Sequence, residues 1–139
     1  MNGYILGIDP GTRKAGFAIV KHADGAVIDL GIEPIDDLLA RAKVLVGRHE
    51  VVTIALGQGT NAGALSAALA SLGVPVRLVD ERETTLRARS LYFADHPPRG
   101  WRKLIPLGMQ VPPRPIDDYA AVLIARRYLA EVDEPADVL

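Results

Sequence analysis

Apolar and polar residues along this chain follow two kinds of pattern. Short, almost wholly apolar runs predict five strands, at 4–8, 15–20, 26–32, 51–56 and 74–79. Longer stretches with apolar residues three or four positions apart predict helices at about 35–46, 62–72, 83–93 and 117–129. The segment 95–115 carries six prolines and is predicted to be irregular. The tail, 131–139, is predicted to fray.

The order of these elements predicts the topology of the sheet. The first three strands follow one another through short turns, including an Asp24-Gly25 hairpin, and therefore form an antiparallel meander. Right-handed crossovers place the fourth strand beside the first and the fifth beyond it. We expect one α/β domain over 1–139, with a mixed five-stranded sheet in the order 3-2-1-4-5, its second strand antiparallel, flanked by helices. The carboxyl end of the first strand then lies where such sheets usually carry their site.

The composition narrows the class of protein. With 49% hydrophobic and 24% charged residues, the 139-residue chain is typical of a globular protein. It has no cysteine, which excludes a disulfide framework and a thiol nucleophile. No apolar run is long enough to span a bilayer and no targeting segment is evident, so we expect a cytoplasmic protein without a membrane partner. The net charge of −1 still allows a local basic patch.

Acidic residues stand where this topology would bring them together. Asp9 closes the first strand in an Asp-Pro-Gly sequence, which alone is ordinary turn chemistry. Asp80 and Glu81 end the fifth strand, about 10 Å from the first, and Glu81 has the longer reach. Either of these two acids could instead cap the helix that follows.

Two more acids, Asp117 and Asp118, open the last helix, where one could serve as the N-cap. Asp117 shares a helical face with Ala121 and Ile124, so we expect it to point toward the sheet. Asp118 should point roughly 100° away, which makes it the weaker candidate.

Carboxylates that converge on a strand-end crevice suit hard divalent cations. We predict Asp9, Glu81 and Asp117 as catalytic residues and as ligands of Mg²⁺ or Mn²⁺, with Asp118 as a further ligand. Two ions about 3.5–4 Å apart could activate water and stabilise a leaving 3′ oxygen. The three histidines lie far apart in the sequence and do not indicate zinc.

Basic residues are concentrated in one part of the chain. Between 82 and 114 there are seven basic residues against two acidic ones, a local charge of +5. Trp101 and Tyr92 lie in the same segment and could stack on bases. A solvated basic face is the alternative, but both ends of the segment adjoin the proposed carboxylates, which favours a role in nucleic-acid binding. The predicted nucleic-acid-binding residues are Arg13, Lys14, Arg82, Arg87, Arg99, Trp101, Arg102, Lys103 and Arg114.

Three motifs resemble a known group of nucleases. The sequence ILGIDPGTRKAG, from Ile5 to Gly16, resembles the opening strand and turn of the RuvC/YqgF group of ribonuclease H-like nucleases. VDERETT, from Val79, resembles the Asp-Glu-Arg-x-Thr-Thr signature of the YqgF (RuvX) branch, and PIDDYAA, from Pro115, resembles its C-terminal aspartate helix. The resemblance implies catalytic Asp9, Glu81 and Asp117, two-metal phosphodiester hydrolysis and a role in maturing the 5′ end of 16S ribosomal RNA precursors. Holliday junction resolution has also been proposed for this branch.

One departure from the wider group bears on the substrate. RuvC resolvases carry an acid at the end of the fourth strand, where this chain has Leu56-Gly57-Gln58, and this favours the YqgF branch. The leading hypothesis is therefore an endonuclease that acts on structured RNA, with four-way DNA junctions as the alternative substrate. A nucleotide-binding or catalytically silent nucleic-acid-binding module of the actin/ribonuclease H-like fold is a further alternative. Symmetric junction cleavage would require a homodimer.

Overall fold

The computed structural model describes residues 3–59, 62–80, 84–97, 100, 104 and 115–133. The strands are β1 (Tyr4–Pro10), β2 (Lys14–Lys21), β3 (Val27–Pro34), β4 (Val51–Gly57) and β5 (Val76–Val79). The helices are α1 (Leu38–Arg48), α2 (Ala62–Ala70), α3 (Thr84–Asp95) and α4 (Asp117–Asp133), and a short 3₁₀ turn (Ile35–Asp37) precedes α1. Within these described ranges, no helix is long and apolar enough to cross a membrane.

The five strands form one sheet in the order β3-β2-β1-β4-β5, as predicted. β2 runs antiparallel to both β1 and β3, whereas β4 is parallel to β1 and β5 is parallel to β4. The Asp-Gly turn is present between β2 and β3, where Gly25 adopts a φ of +74° that suits glycine. Most element boundaries differ from the predicted ones by one to four residues. The largest change for the tail is that α4 continues through Asp133, so 131–133 are helical rather than frayed.

The two faces of the sheet differ in the size of their side chains. Leu6 and Ile8 of β1 are fully buried on one face, in the cluster that holds the packing residues of α1 and α2. On the other face the same strand presents Ile5 and Gly7, and neighbouring strands present Ala18 and Ala55. This small-residue face packs against α4. Alternating side chains along each strand thus give one side for large apolar residues and one for a closely packed helix.

Gly7 is the point of closest approach between α4 and the centre of the sheet. A Cβ at this position would overlap the Ala121 carbonyl and lie 2.9 Å from the Ala125 Cβ. Ala121 and Ala125 are themselves fully buried and have no longer side chain to keep the helix away. The backbone of α4 therefore rests almost directly on β1, which fixes the height and position of the helix.

We predict that Gly7→Ala destabilises the protein by about 1–3 kcal/mol, because the added methyl must push a whole helix off the sheet. Gly47→Ala is the matched control. It lies in α1, where nothing is within 4 Å of an added Cβ, and should be neutral or stabilise by up to about 1 kcal/mol. Urea unfolding followed by circular dichroism measures both. Equal stability of the two variants would contradict this account of the packing.

Candidate active site

Asp9 is the penultimate residue of β1, at the carboxyl end predicted for it. Ile5 packs against α4, and Gly7 lies beneath the same helix. Because side chains alternate along a strand, Asp9 belongs to this face as well. Asp9 is only partly exposed to solvent. The carboxylate is therefore placed on the side of the sheet that α4 covers.

Gly16 brings the start of α4 to Asp9. It is the cross-strand partner of Asp9, and such partners carry their Cβ positions on one face about 4.5–5.5 Å apart. A Cβ on Gly16 would overlap the Asp117 carbonyl and lie 2.6 Å from the backbone nitrogen of Asp118. The missing side chain at Gly16 thus allows the first turn of α4 to lie beside Asp9. Gly7 and Gly16 are not among the site residues predicted from the sequence. The signal that could have revealed the close approach of α4 is that two neighbouring antiparallel strands each carry a glycine.

Asp118 corrects the prediction about the two acids of α4. The prediction ranked Asp118 below Asp117 because it lies about 100° further round the helix, but the Asp118 residue is buried, at 3% exposure, and the Asp117 residue is only partly buried. The prediction assumed a helix with a single buried face, but α3 also packs on α4 and widens its buried surface. Asp118 lies one and two turns before Val122 and Ala125, both fully buried. Its Oδ1 accepts a hydrogen bond from the Tyr119 N–H at 3.0 Å.

An aromatic contact between α3 and α4 holds the first turn of α4 from the side. The Tyr119 hydroxyl donates to Asp95 Oδ2 at 3.0 Å, and the Tyr92 ring meets the Tyr119 ring edge-on at 5.6 Å. Tyr92 is only 6% exposed. The suggestion that its ring stacks on bases was therefore wrong, because the apolar segment around it forms a core between the two helices. Its role is to support the helix that carries the acids.

One of the predicted basic residues, Lys14, lies next to Asp117, and another, Arg13, lies in the turn before it. Arg13 is exposed in the turn between β1 and β2, and its carbonyl accepts the Ile35 N–H at 2.8 Å. Lys14 opens β2, and its Nζ lies 4.0 Å from Asp117 Oδ2. Arg87 is exposed on α3. The other predicted nucleic-acid-binding residues lie outside the described ones: Arg82, Arg99, Trp101, Arg102, Lys103 and Arg114.

The third predicted carboxylate, Glu81, also lies outside the described residues. The described residues before it end at Asp80, which follows the buried last residue of β5, Val79. They resume at Thr84. Val79 pairs with Gly57, and its carbonyl accepts the Gln58 N–H at 3.0 Å. No group of three possible metal ligands occurs within the part of the chain that is described. The convergence of Glu81 with the other acids therefore stays a prediction.

The acids near the end of β1 are of the residue type that binds hard divalent cations. Asp9, Asp117 and Asp118 carry carboxylate oxygens, the ligand type that Mg²⁺ and Mn²⁺ prefer, and their joint binding of an ion stays a prediction. Burial of the Asp118 carboxylate is costly unless positive charge balances it. The N-terminus of α4 supplies part of that charge through the helix dipole, and a bound cation would add to it.

Comparison with known proteins identifies the family. No family model matches the chain. It is, however, 30% identical to the crossover junction endodeoxyribonuclease RuvC of Chlorobaculum parvum. The alignment is 154 positions long and covers 87% of this chain and 78% of that protein. The chain belongs to the RuvC family. A hydrolytic endonuclease is thereby confirmed as its enzyme class, and divalent-ion dependence is general among RuvC-like nucleases.

Solved structures similar to this RuvC-family protein agree on the fold. The RuvC of T. thermophilus, determined in complex with a Holliday junction substrate, superposes with a TM-score of 0.60 at 19% identity, covering 94% of this chain and 96% of that one. The large terminase nuclease of the thermophilic phage G20c gives a TM-score of 0.55 at 18% identity, covering 88% and 80%. The predicted ribonuclease H-like fold is therefore confirmed. The narrower assignment to the YqgF branch is not confirmed, because the matching relatives are named RuvC.

We predict that Mg²⁺ stabilises the wild-type protein by about 1.4–2.7 kcal/mol at ten to a hundred times its dissociation constant, because it binds only the folded state. In Asp9→Asn, Mg²⁺ should add little to the free energy of unfolding. In Asp36→Asn, which changes an exposed acid before α1, the stabilisation by Mg²⁺ should equal that of the wild type. Urea unfolding with Mg²⁺ or with EDTA measures the increment. An unchanged increment in Asp9→Asn would remove Asp9 from the metal site.

Proposed function

We propose that this protein is a metal-dependent endonuclease that cleaves four-way DNA junctions, with Asp9, Glu81, Asp117 and Asp118 around the reacting phosphodiester. The observation that carries the proposal is the Asp9–Gly16–Asp117 juxtaposition, which brings two separate acids to the carboxyl end of β1. The named activity of a relative matched over 78% of its length supports junction DNA as the substrate.

Divalent ions, Mg²⁺ or Mn²⁺ and two in number by this proposal, would supply the charge that stabilises in-line displacement of the 3′ oxygen by water. The role of the protein itself is to hold the carboxylates in place before the substrate arrives. Asp9 is fixed by the central strand, and Asp117 and Asp118 by a helix whose first turn rests on Gly16. Arg13 and Lys14, in the adjoining turn and strand, provide positive charge for the nucleic-acid backbone.

Precursor ribosomal RNA is the second candidate substrate, because two local features differ from junction resolvases. β4 ends at Gly57, where RuvC resolvases carry an acid, and the segment after Val79 matches the YqgF signature. By our proposal Glu81, one strand further from Asp9, takes the place of that missing acid. The family comparison favours junction DNA over the RNA that the sequence motifs favoured. Paired cuts across a symmetric junction would require a homodimer.

The first test is Asp9→Asn, which removes one negative charge while keeping the size of the side chain. We expect cleavage with Mg²⁺ or Mn²⁺ to fall below detection because the shared ligand is lost, while circular dichroism stays that of the wild type. Asp36→Asn is the matched control and should cleave at the wild-type rate. Cleavage by Asp9→Asn at the rate of the control would show that the catalytic site lies elsewhere.

The second test compares substrates side by side: a four-way DNA junction, a linear duplex of the same sequence, 16S precursor RNA and single-stranded RNA, each with Mn²⁺ or EDTA. We expect Mn²⁺-dependent cleavage of the junction in preference to the duplex. Cleavage of precursor RNA with the junction left intact would establish the RNA alternative. Binding without cleavage of any of these substrates would instead indicate a silent nucleic-acid-binding module.

A further inference from the structure

A cation reaches across from the sheet to Asp117, the first acid of α4. Lys14 is the first residue of β2, and its Nζ lies 4.0 Å from Asp117 Oδ2. Both side chains remain substantially exposed, 44% for Lys14 and 35% for Asp117. At this distance and exposure the pair is an ion pair rather than a tight hydrogen bond, so it holds Asp117 only loosely.

The strand register places this cation at the rim of the proposed site. Lys14 precedes Gly16 by two residues, so both belong to the α4-facing side of β2. Asp9 pairs with Gly16, which makes Lys14 its diagonal neighbour, at a typical separation of about 7–8 Å. The pairing of β1 with β2 ends at Pro10 and Ala15, and Lys14 lies one position beyond that end. Its ammonium therefore lies outside the carboxylates, toward the solvent from which a substrate would approach.

An ammonium and a divalent ion that share the Asp117 carboxylate repel each other, so each weakens the hold of Asp117 on the other. Without a divalent ion, the ammonium of Lys14 offsets the repulsion between the carboxylates of Asp9 and Asp117. A divalent ion on those carboxylates would repel the ammonium, and the flexible lysine stem can release Asp117 at little cost. A phosphate of bound nucleic acid then offers the ammonium a new anionic partner.

We propose that Lys14 is a displaceable counter-ion, paired with Asp117 when the divalent ion is absent and transferred to a substrate phosphate when the ion is bound. The inference rests on the proposed function in taking Asp117 as an ion ligand. It assigns one residue two effects of opposite sign. Lys14 weakens the binding of the divalent ion, and it strengthens the binding of nucleic acid.

The ion-binding half is tested on the protein alone, by titration of Mn²⁺ followed by electron paramagnetic resonance. Lys14→Met removes the charge and keeps most of the stem, and we expect it to bind Mn²⁺ roughly two- to fivefold more tightly than the wild type. Lys21→Met, at the exposed far end of β2, is the matched control and should leave the affinity unchanged. In an Asp117→Asn background, Lys14→Met should no longer tighten binding, because the partner is gone.

The nucleic-acid half is tested by junction cleavage at saturating Mn²⁺. Lys14→Met should raise KM more than it lowers kcat. In a plot of log KM against log salt concentration, the slope should fall by about one, as expected for one lost phosphate contact. Lys14→Arg, which keeps the charge, should restore most of both effects. An unchanged KM and salt slope would overturn the transfer to phosphate.

These measurements separate the inference from the proposed function. Equal or weaker Mn²⁺ binding by Lys14→Met overturns the counter-ion role, whatever substrate the enzyme cuts. Tighter Mn²⁺ binding by Lys14→Met, with no junction cleavage by the wild type, would support the counter-ion role and overturn the proposed substrate. Failure of the wild type to bind Mn²⁺ would overturn both.

Discussion

The close approach of α4 to the paired strands β1 and β2 is the constraint on which the rest of the structure depends. Gly7 and Gly16 leave no side chain between helix and sheet, so the α4 backbone rests on the strands at two points. The first contact sets the height of the helix at Ala121, and the second sets the position of its first residue, Asp117. The packing of the helix that completes this face of the core thus also brings the first turn of α4, with its two acids, beside Asp9.

The same arrangement explains why the two faces of the sheet are built so differently. The face toward α1 and α2 carries large side chains such as Leu6 and Ile8, whose interdigitation keeps those helices at an ordinary distance. The face toward α4 carries small ones, and it holds the helix close enough for backbone atoms to meet. If the acids converge as we propose, they repel one another when no cation is bound, and the apolar burial around Ala125 and Ile124 has to offset that repulsion.

The order of the strands was predictable from the sequence because it depends on local signals: apolar runs, an Asp-Gly turn and the spacing of helices. The position of Asp9 at a strand end was predictable for the same reason. The burial of Asp118 was not, because it depends on how α3 and the sheet share the surface of α4. The prediction that Tyr92 stacks on bases was wrong for a similar reason. Its ring lies among arginines in the sequence, but in the fold it packs between two helices.

The end of β4 shows why membership of the RuvC family does not by itself decide the substrate. Gly57 pairs with Val79, so β4 brings no carboxylate to the edge where Asp9 lies. The next acids along the sequence are Asp80 and Glu81, after β5, and strands two apart are about 10 Å distant. A carboxylate that reaches in from β5 leaves more room beside Asp9 than one carried on β4 itself. By our proposal, the departure from the resolvase pattern therefore bears on the shape of the substrate more than on the hydrolytic chemistry.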